Sequence, residues 1–388
     1  MSSAPSVSRG TFACIAGGGT AGHLLPGMAV AEALVARGHE RSTIHFVGGS
    51  RGPETTLVPE AGFPLTALAG RGIPRKVSFA SLAAAFGVAR GVVSGIGLIR
   101  RLRPQVVVVL GGYAAVPCTI GAILWRVPIV VMEQNARAGA ANRLAGRFAK
   151  AAAVPFDDTD LPRRVLTGNP VRPEILAVDR QRDRATARDE LDLPSDRVVL
   201  AVFSGSLGSR RINTAVRLLS ERWAGRSDLA IHHVVGARDW DAELADPSMS
   251  TTPTLDTGAP AGVGLDYRRV RYEDRMPLLL SAADLAICRA GGSTVAELAV
   301  VGLGAVLVPL PIATRDHQTA NAAPLVRAGA AVVVADDELD VDRLEAVLTP
   351  LLSEPGRLDA MAAAARTLAT PDAAERVADL VEEHARHA

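Results

Sequence analysis

The chain has 388 residues, 48% of them hydrophobic and 21% charged, with a formal net charge of +1. At roughly 100–200 residues per domain this length suggests two domains, and the composition excludes a disordered chain. The near-zero charge hides a split, because residues 1–168 hold 18 Lys and Arg against 8 Asp and Glu, while residues 169–388 hold 24 against 33; an anionic partner is therefore expected on the first half only.

Met1 to Gly10 is short and polar, so no secretory signal is expected. Thr11 to Ala16 predicts a strand, Gly17 to Gly22 a loop, and Pro26 to Arg37 a helix with Met28, Val30, Ala31, Leu34 and Val35 at helical spacing. Thr43 to Val47 predicts a second strand. Val106 to Trp125 is 20 residues without a charge, the length of a membrane span. It contains Gly111-Gly112, Pro117 and a β-branched run, and predicts instead a buried parallel strand, a glycine turn and a buried helix. Ile129 to Met132 predicts a further strand. Beyond the Pro-rich stretch Gly168 to Pro173 the pattern restarts, with strands at Val198 to Phe203, Leu285 to Cys288, Val306 to Pro309 and Ala331 to Val334. Helices are expected from about Arg211 and over Thr294 to Val301. The last helix, with Ala373, Val377, Leu380 and Val381 apolar, is amphipathic. Strands alternating with helices imply parallel sheets covered on both faces. The three cysteines, Cys14, Cys118 and Cys288, lie far apart with no CxxC spacing, which argues against a disulfide framework and a zinc site.

Four glycine-rich loops follow predicted strands: Gly17 to Gly22, Gly111-Gly112-Tyr113, Ser204 to Ser209, and Arg289 to Thr294. The first matches GxGxxG, whose backbone N–H groups at a helix N-terminus favour a phosphate. A dinucleotide dehydrogenase would also need an acidic residue at the end of the next strand. That strand ends Phe46-Val47-Gly48-Gly49-Ser50, without a carboxylate. Several such loops on both domains point to a phosphate-rich ligand between them.

Taken together, Gly18-Gly19-Thr20-Ala21-Gly22-His23, Gly111-Gly112-Tyr113, Glu133-Gln134-Asn135, Gly168-Asn169-Pro170-Val171-Arg172, Gly205-Ser206-Leu207-Gly208, Cys288-Arg289-Ala290-Gly291, Thr294-Val295-Ala296-Glu297 and His317-Gln318 with Asn321 resemble the MurG family of N-acetylglucosaminyltransferases. The resemblance runs from about Phe12 to Ala330. It implies an α/β, GT-B architecture of two Rossmann-like parallel-sheet domains facing across a cleft. Residues 1–168, with a C-terminal helix at about 371–388, would be the acceptor and membrane-associated domain, and 169–370 the UDP-sugar donor domain. The implied activity is inverting transfer of N-acetylglucosamine from UDP-N-acetylglucosamine to the 4-hydroxyl of the N-acetylmuramic acid unit of undecaprenyl-linked lipid I, giving lipid II. Other readings are a nucleotide-sugar epimerase or hydrolase on the same fold, and a non-catalytic cell-wall scaffold. The sequence departs from the family's usual residues at Met132, Ser204, Leu207, Ala290 and His317.

Such a transfer needs a base, a counter-charge for the departing diphosphate, and an oriented donor. His23 is the candidate base, since an ordinary imidazole is largely neutral at pH 7; Glu133 is the alternative, or else a structural carboxylate paired with an Arg. Arg172 is the candidate diphosphate partner, with Ser206 adding a hydroxyl at a helix N-terminus. Glu297 would accept from the uridine ribose, although Thr294-x-x-Glu297 also reads as a capping box. Thr20, Gly22, Thr294, His317 and Gln318 complete the expected donor set, with Asn321 fixing its loop. Asn135, Gly112 and Tyr113 are expected to bind the acceptor, and Thr20 could also meet its sugar or diphosphate. Tyr272-Glu273 falls where the family's backbone meets uracil. Asp239-Trp240-Asp241 and Asp158-Thr159-Asp160 match a DxD metal pattern but read as solvated faces. No metal site and no required cofactor are expected, though a divalent cation can help electrostatically. No nucleic acid is expected as a partner.

Gly70 to Arg101 carries Arg71, Arg75, Lys76, Arg90, Arg100 and Arg101 with no acid, interleaved with Ile73, Val77, Phe79, Leu82, Phe86 and Val93. A basic, apolar segment of this kind can lie in the headgroups of an anionic leaflet. The expected location is peripheral, on the cytoplasmic face of the membrane.

Overall fold

A computed structural model describes residues 10–50, 52–68, 81–205, 208–245 and 264–386, the side chains of 81–90 excepted. The chain divides into two compact units, Met1–Arg172 with Thr370–Ala388, and Pro173–Ala369.

In the first unit, β1 (Ala13–Gly17), β2 (Ile44–Gly49), β3 (Leu65–Leu68), β4 (Val106–Gly111), β5 (Ile129–Met132), β6 (Ala151–Val154) and β7 (Arg164–Leu166) form one sheet. All pair in parallel, in the order β3-β2-β1-β4-β5-β6-β7. Every residue of β1 and β4 is buried. Side chains alternate between faces along a strand. Ile15, Val108 and Leu110 therefore meet Leu24, Val30 and Leu34 of the helix Ala21–Ala36 and Val377 and Val381 of the helix Ala373–His384. Cys14, Ala16, Val107 and Val109 meet the opposite layer, with Leu98 and Ile99 of the helix Ser81–Leu102 and Ala115, Cys118 and Ala122 of the helix Ala115–Leu124. Each large aliphatic side chain buried this way contributes roughly 1.5–3 kcal/mol. Val106 to Trp125 is thus strand, turn and helix, and among the described residues no helix is long and apolar enough to cross a membrane. The last helix is further pinned by Arg37, whose Nη1 lies 2.6 Å from Asp379 Oδ1 and 2.8 Å from Glu382 Oε2. His39 also pairs with Glu382 at 2.8 Å while stacking on Phe12.

In the second unit, β8 (Val198–Phe203), β9 (Leu229–Val234), β10 (Asp266–Val270), β11 (Leu285–Cys288), β12 (Gly304–Leu307) and β13 (Ala331–Val333) form a parallel sheet in the order β10-β9-β8-β11-β12-β13. Leu200, Val202, Ile287 and Val306 pack on Ile212, Val216 and Leu219 of the helix Arg210–Arg222 and on Leu344 and Leu348 of the helix Val341–Ser353. Elsewhere in this unit the buried Asp284 accepts from Arg188 Nη2 at 2.7 Å and from the Val199 amide at 2.8 Å.

Strand order reverses between β1 and β4 in one sheet and between β8 and β11 in the other. Loops on either side of such a point diverge and open a crevice at the carboxyl ends of the strands. The glycine loops singled out in the sequence follow these four strands.

The first helix begins at Ala21, not near Pro26, which sits inside it. Pro is a strong marker of a helix start, but here it occupies the second turn. The strands β3, β6, β7, β9 and β10 have no counterpart in the periodicity. The edge strand Arg164–Leu166 has all three residues exposed, and β9 (LAIHHV) hides two histidines in an apolar run.

Candidate active site

The β1 loop of the first unit runs through Gly17, Gly18 and Gly19 at φ +155°, +138° and +86°. The loop after β4 presses on it: a Cβ at Gly112 would stand 2.5 Å from the Gly18 carbonyl oxygen. Thr20 caps the helix Ala21–Ala36 in extended conformation without a side-chain cap bond. Its hydroxyl instead lies 3.0 Å from His23 Nδ1, and its carbonyl accepts from the His23 amide at 3.2 Å. His23 is half-buried, with its ring beside Gly111.

Two buried carboxylates shape these loops. Glu54, 1% exposed, accepts from the amides of Gly19, at 3.1 and 3.2 Å, and Gly49, at 2.7 Å. A dinucleotide pyrophosphate would need such donors, so a protein carboxylate on Gly19 opposes the dehydrogenase reading beyond the missing ribose acid. Glu133, 2% exposed, holds the loop after β5. Its Oε1 accepts from the amides of Gln134 and Asn135, both at 3.0 Å, and from Asn135 Nδ2 at 3.2 Å. Its Oε2 accepts from the Gly139 amide at 3.1 Å and Asn142 Nδ2 at 2.9 Å. Tyr113 is half-buried, and its hydroxyl is enclosed without a hydrogen-bond partner among the described residues.

In the second unit a guanidinium does the tying. Arg289, after β11, donates from Nη2 to Ser209 Oγ at 2.6 Å and from Nη1 to the carbonyls of Val308 and Pro309 at 3.0 and 3.1 Å. It pairs with Asp336 at 2.7 Å. Ser209 in turn caps the helix Arg210–Arg222 through the Ile212 amide. The turn before it closes by Gly208 N–H donating to the Gly205 carbonyl at 3.1 Å. The helix Gly292–Val301 starts on Gly291 with no side-chain cap and no acid in its first turn, a setting favourable to an anion. Glu297 is half-buried on this helix, and its charge adds to burial in pushing the Cys288 thiol up. Arg315 and Asp316 lie at φ +58° and +52°, a strained pair for non-glycine residues. They lead into the helix His317–Arg327, whose His317 Nδ1 meets the Thr314 carbonyl at 2.9 Å. Gln318 Oε1 accepts from the Leu310 amide at 2.9 Å, and the fully buried Asn321 donates to the Ala290 carbonyl at 3.1 Å.

Residues 13–154 match the glycosyltransferase family 28 N-terminal domain, and residues 199–377 the family 28 C-terminal domain. A Desulforudis audaxviator protein named UDP-N-acetylglucosamine–N-acetylmuramyl-(pentapeptide) pyrophosphoryl-undecaprenol N-acetylglucosamine transferase is 39% identical over 95% of this chain and 97% of its own. A Mycolicibacterium smegmatis protein of the same name is 40% identical over 98% of this chain and 96% of its own. The crystal structure of Acinetobacter baumannii MurG superposes with a TM-score of 0.72 at 30% identity, over 96% of this chain and 99% of that one. The chain belongs to the MurG family. Its two parallel-sheet, Rossmann-like domains are those of the GT-B fold. A Neisseria meningitidis UDP-GlcNAc 2-epimerase, TM-score 0.64 at 13% identity over 96% of this chain and 99% of that one, shares the fold alone.

Within this MurG-family chain, Thr20, Gly22, His23, Gly112, Tyr113, Glu133 and Asn135 lie on the loops after β1, β4 and β5 of the first unit and on the first turn of the helix Ala21–Ala36. Thr294, Glu297, His317 and Gln318 lie on loops and helix starts after β11 and β12 of the second. Arg172 closes the first unit, half-buried, after a stretch in which Asn169 Nδ2 donates to the Gln134 carbonyl at 3.4 Å. Ser206 and Gly70 to Ala80 lie outside the described residues.

Several expectations need correction. The carboxylate of Glu133 is paired with no arginine among the described residues: its two oxygens accept from four donors of its own loop and from Asn142 Nδ2 on the helix Ala140–Gly146, a structural role in place of the expected arginine pair. Thr294 is the third residue inside its helix, so Thr294 and Glu297 form no capping box. Asp239 is not a solvated acid, being 5% exposed and accepting from Asn213 Nδ2 and Arg238 Nε. Asp241, Asp158 and Asp160 are exposed, as expected of solvated faces, with Asp160 also accepting from the Ala138 amide at 2.9 Å. Two organising roles escaped the sequence reading, those of Glu54, which no motif contained, and of Arg289, which stood in a motif without a role. The glycines around Glu54 were the available signal: a Cβ at Gly18, Gly48 or Gly52 would run into its carboxylate.

The substitution Glu133→Gln separates this structural role from that of a base. It turns an acceptor into a partial donor facing backbone N–H groups, and should lower stability by about 1–3 kcal/mol in urea unfolding. The residual turnover should keep the wild-type acidic limb of its pH profile; loss of that limb in a normally stable variant would make Glu133 the base.

Proposed function

We propose that this chain transfers N-acetylglucosamine from UDP-N-acetylglucosamine to the 4-hydroxyl of the N-acetylmuramyl unit of lipid I, giving lipid II. The observation that carries the reading is identity near 40% along almost the whole chain to relatives bearing that activity in their names. Epimerases on the same fold match at 13–16% identity, so nothing here favours that alternative.

The first unit takes the acceptor. The 4-hydroxyl attacks the anomeric carbon, the bond from that carbon to the diphosphate oxygen breaks, UDP leaves, and configuration inverts. The hydroxyl proton passes to His23 Nε2. The Thr20 hydroxyl beside Nδ1 supports this role. A proton on Nδ1, donated to Thr20 Oγ1, leaves the lone pair on Nε2. Asn135, held by Glu133, and Gly112 with Tyr113 on the loop after β4 are assigned to the acceptor.

The second unit takes the donor. The N-termini of the helices Arg210–Arg222 and Gly292–Val301 favour the diphosphate. Arg172 pairs with it in bidentate fashion as charge builds on the leaving group, with Ser206 and Thr294 adding hydroxyls. Glu297 accepts from the ribose hydroxyls, and His317 and Gln318 meet the sugar. Tyr272 is 54% exposed, while Glu273 is buried, accepts from the Arg275 amide at 2.9 Å and lies 3.2 Å from His232 Nε2. Glu273 thereby fixes the backbone proposed to meet uracil. No cofactor is required in this scheme, and a divalent cation would act only on the diphosphate's charge.

A peripheral membrane position, on the cytoplasmic side, suits a lipid-linked acceptor. Val93 is 70%, Leu124 58%, Trp125 41% and Phe148 52% exposed on the first unit. Arg100 stacks 5.1 Å from the Trp125 ring centroid, and Arg101, Arg126, Arg143, Arg147 and Lys150 are also exposed. Cations interspersed with exposed apolar side chains suit an anionic leaflet. The helix Ser81–Leu102 contributes Leu98 and Ile99 to the core instead, so only part of Gly70 to Arg101 is available to lipid.

Incubation with labelled UDP-N-acetylglucosamine and a lipid I analogue should yield a lipid-linked disaccharide and UDP; release of free sugar or its epimer alone would defeat the reading. His23→Ala should lower kcat by about 10²–10⁴-fold with UDP affinity nearly unchanged, and near-normal turnover would remove His23 as base. Vesicle binding should rise with anionic lipid and fall with salt, and should weaken in Trp125→Ser; binding indifferent to all three would remove the membrane face.

A further inference from the structure

Close to Gly208 lies a chain of buried polar side chains, Asn213, His233 and Tyr267, drawn from three elements of the second unit. His233, on β9, is fully buried. Its Nδ1 lies 2.9 Å from Tyr267 Oη on β10, and its Nε2 3.0 Å from Asn213 Oδ1 in the first turn of the helix Arg210–Arg222. Asn213 Nδ2 donates to the Val235 carbonyl and to Asp239 Oδ2, both at 3.0 Å.

The proton positions follow by elimination. Both amide hydrogens of Asn213 are committed, so its Oδ1 accepts. His233 Nε2 must then be the donor and Nδ1 the acceptor, which makes the Tyr267 hydroxyl the donor at the far end. Burial holds the His233 imidazole down to about 3, with Arg269 and His232 adding, so it stays neutral near pH 7 and the direction does not reverse.

The chain ends on the turn. Gly208 lies at φ +82°, and a Cβ there would collide with the Val235 carbonyl oxygen and stand 3.2 Å from Asp239 Oδ2. Arg238 Nε donates to Asp239 Oδ1 at 2.8 Å while its Nη2 reaches the Gly208 carbonyl at 3.4 Å. A planar peptide whose carbonyl is fixed has its N–H fixed as well, here that of Ser209, the cap residue of the helix Arg210–Arg222.

We infer that Tyr267, His233 and Asn213 form a one-way hydrogen-bond relay that positions the Gly208–Ser209 peptide for the donor diphosphate, with His233 as its central positioning residue. This rests on the reading of the Gly205 to Ser209 turn as the diphosphate loop. The relay touches no ligand; it reaches the Gly208 carbonyl through Asp239 and Arg238.

The test compares three variants of the full-length enzyme by UDP calorimetry and by KM for UDP-N-acetylglucosamine and a lipid I analogue. His233→Gln can donate from Nε2 to Asn213 and accept at Oε1 from Tyr267, whereas His233→Phe does neither. His233→Phe should raise the UDP Kd and donor KM about tenfold with acceptor KM unchanged, and His233→Gln should stay within about twofold of wild type. Equal impairment of the two, or a folded His233→Phe with unaltered donor KM, would overturn the relay. Gly208→Ala separates the underlying reading: unchanged UDP affinity there would show that the turn does not meet the diphosphate, whatever the relay does. If His233→Phe does not fold, Tyr267→Phe deletes one hydroxyl and should raise donor KM a few-fold; no rise would equally overturn the relay.

Discussion

The loops at the two switch points depend on how their backbone polar groups are satisfied. A loop pressed against a sheet cannot leave N–H and C=O groups to water, and each unpaired one costs free energy. In the first unit, buried carboxylates take up amides: Glu54 binds those of Gly19 and Gly49, and Glu133 those of Gln134, Asn135 and Gly139. In the second, the Arg289 guanidinium takes up the carbonyls of Val308 and Pro309 and the Ser209 hydroxyl. A carboxylate fills sites that an anion would need, while a guanidinium on carbonyls consumes none of the amides. The same glycine-rich architecture thereby has its Gly19 amide occupied by a carboxylate, while the helix starts at Arg210 and Gly292 are those proposed for the diphosphate.

This local arrangement runs against the bulk charge. The first 168 residues carry the excess of Lys and Arg, and the remainder an excess of acid. Net charge acts at long range and is screened within about 8–10 Å at physiological salt. It can draw one unit toward an anionic surface, as the exposed cations around Trp125 and Phe148 suggest, without deciding where a diphosphate binds. That is set by donors within hydrogen-bond reach, so an acidic net charge is no bar to the nucleotide site proposed for the second unit.

The central strands were legible because burial on both faces gives continuous apolar runs, as in Val106–Gly111 and Val198–Phe203. The glycine loops were legible because close backbone contact, Gly112 against Gly18, admits no other residue. Edge strands such as Asp266–Val270 carry charges and read as loops. The polar interior was the least legible part. Glu54 meets a glycine 35 positions away, and Asn213, His233, Asp239 and Tyr267 come together only after four elements have packed. Glu133 shows the converse: its place in the motif was plain from the sequence, but the five donors that define its role were not.

The central claim is that the nucleotide is read by the second unit, with Glu297 holding its ribose. Calorimetric titration of UDP into Glu297→Ala measures this most directly. Loss of hydrogen bonds to a charged acceptor, about 1.5–3 kcal/mol, predicts an affinity weaker by about ten- to a hundredfold in a protein that unfolds at the wild-type midpoint. UDP binding as tight as wild type would contradict the assignment of the donor to this site.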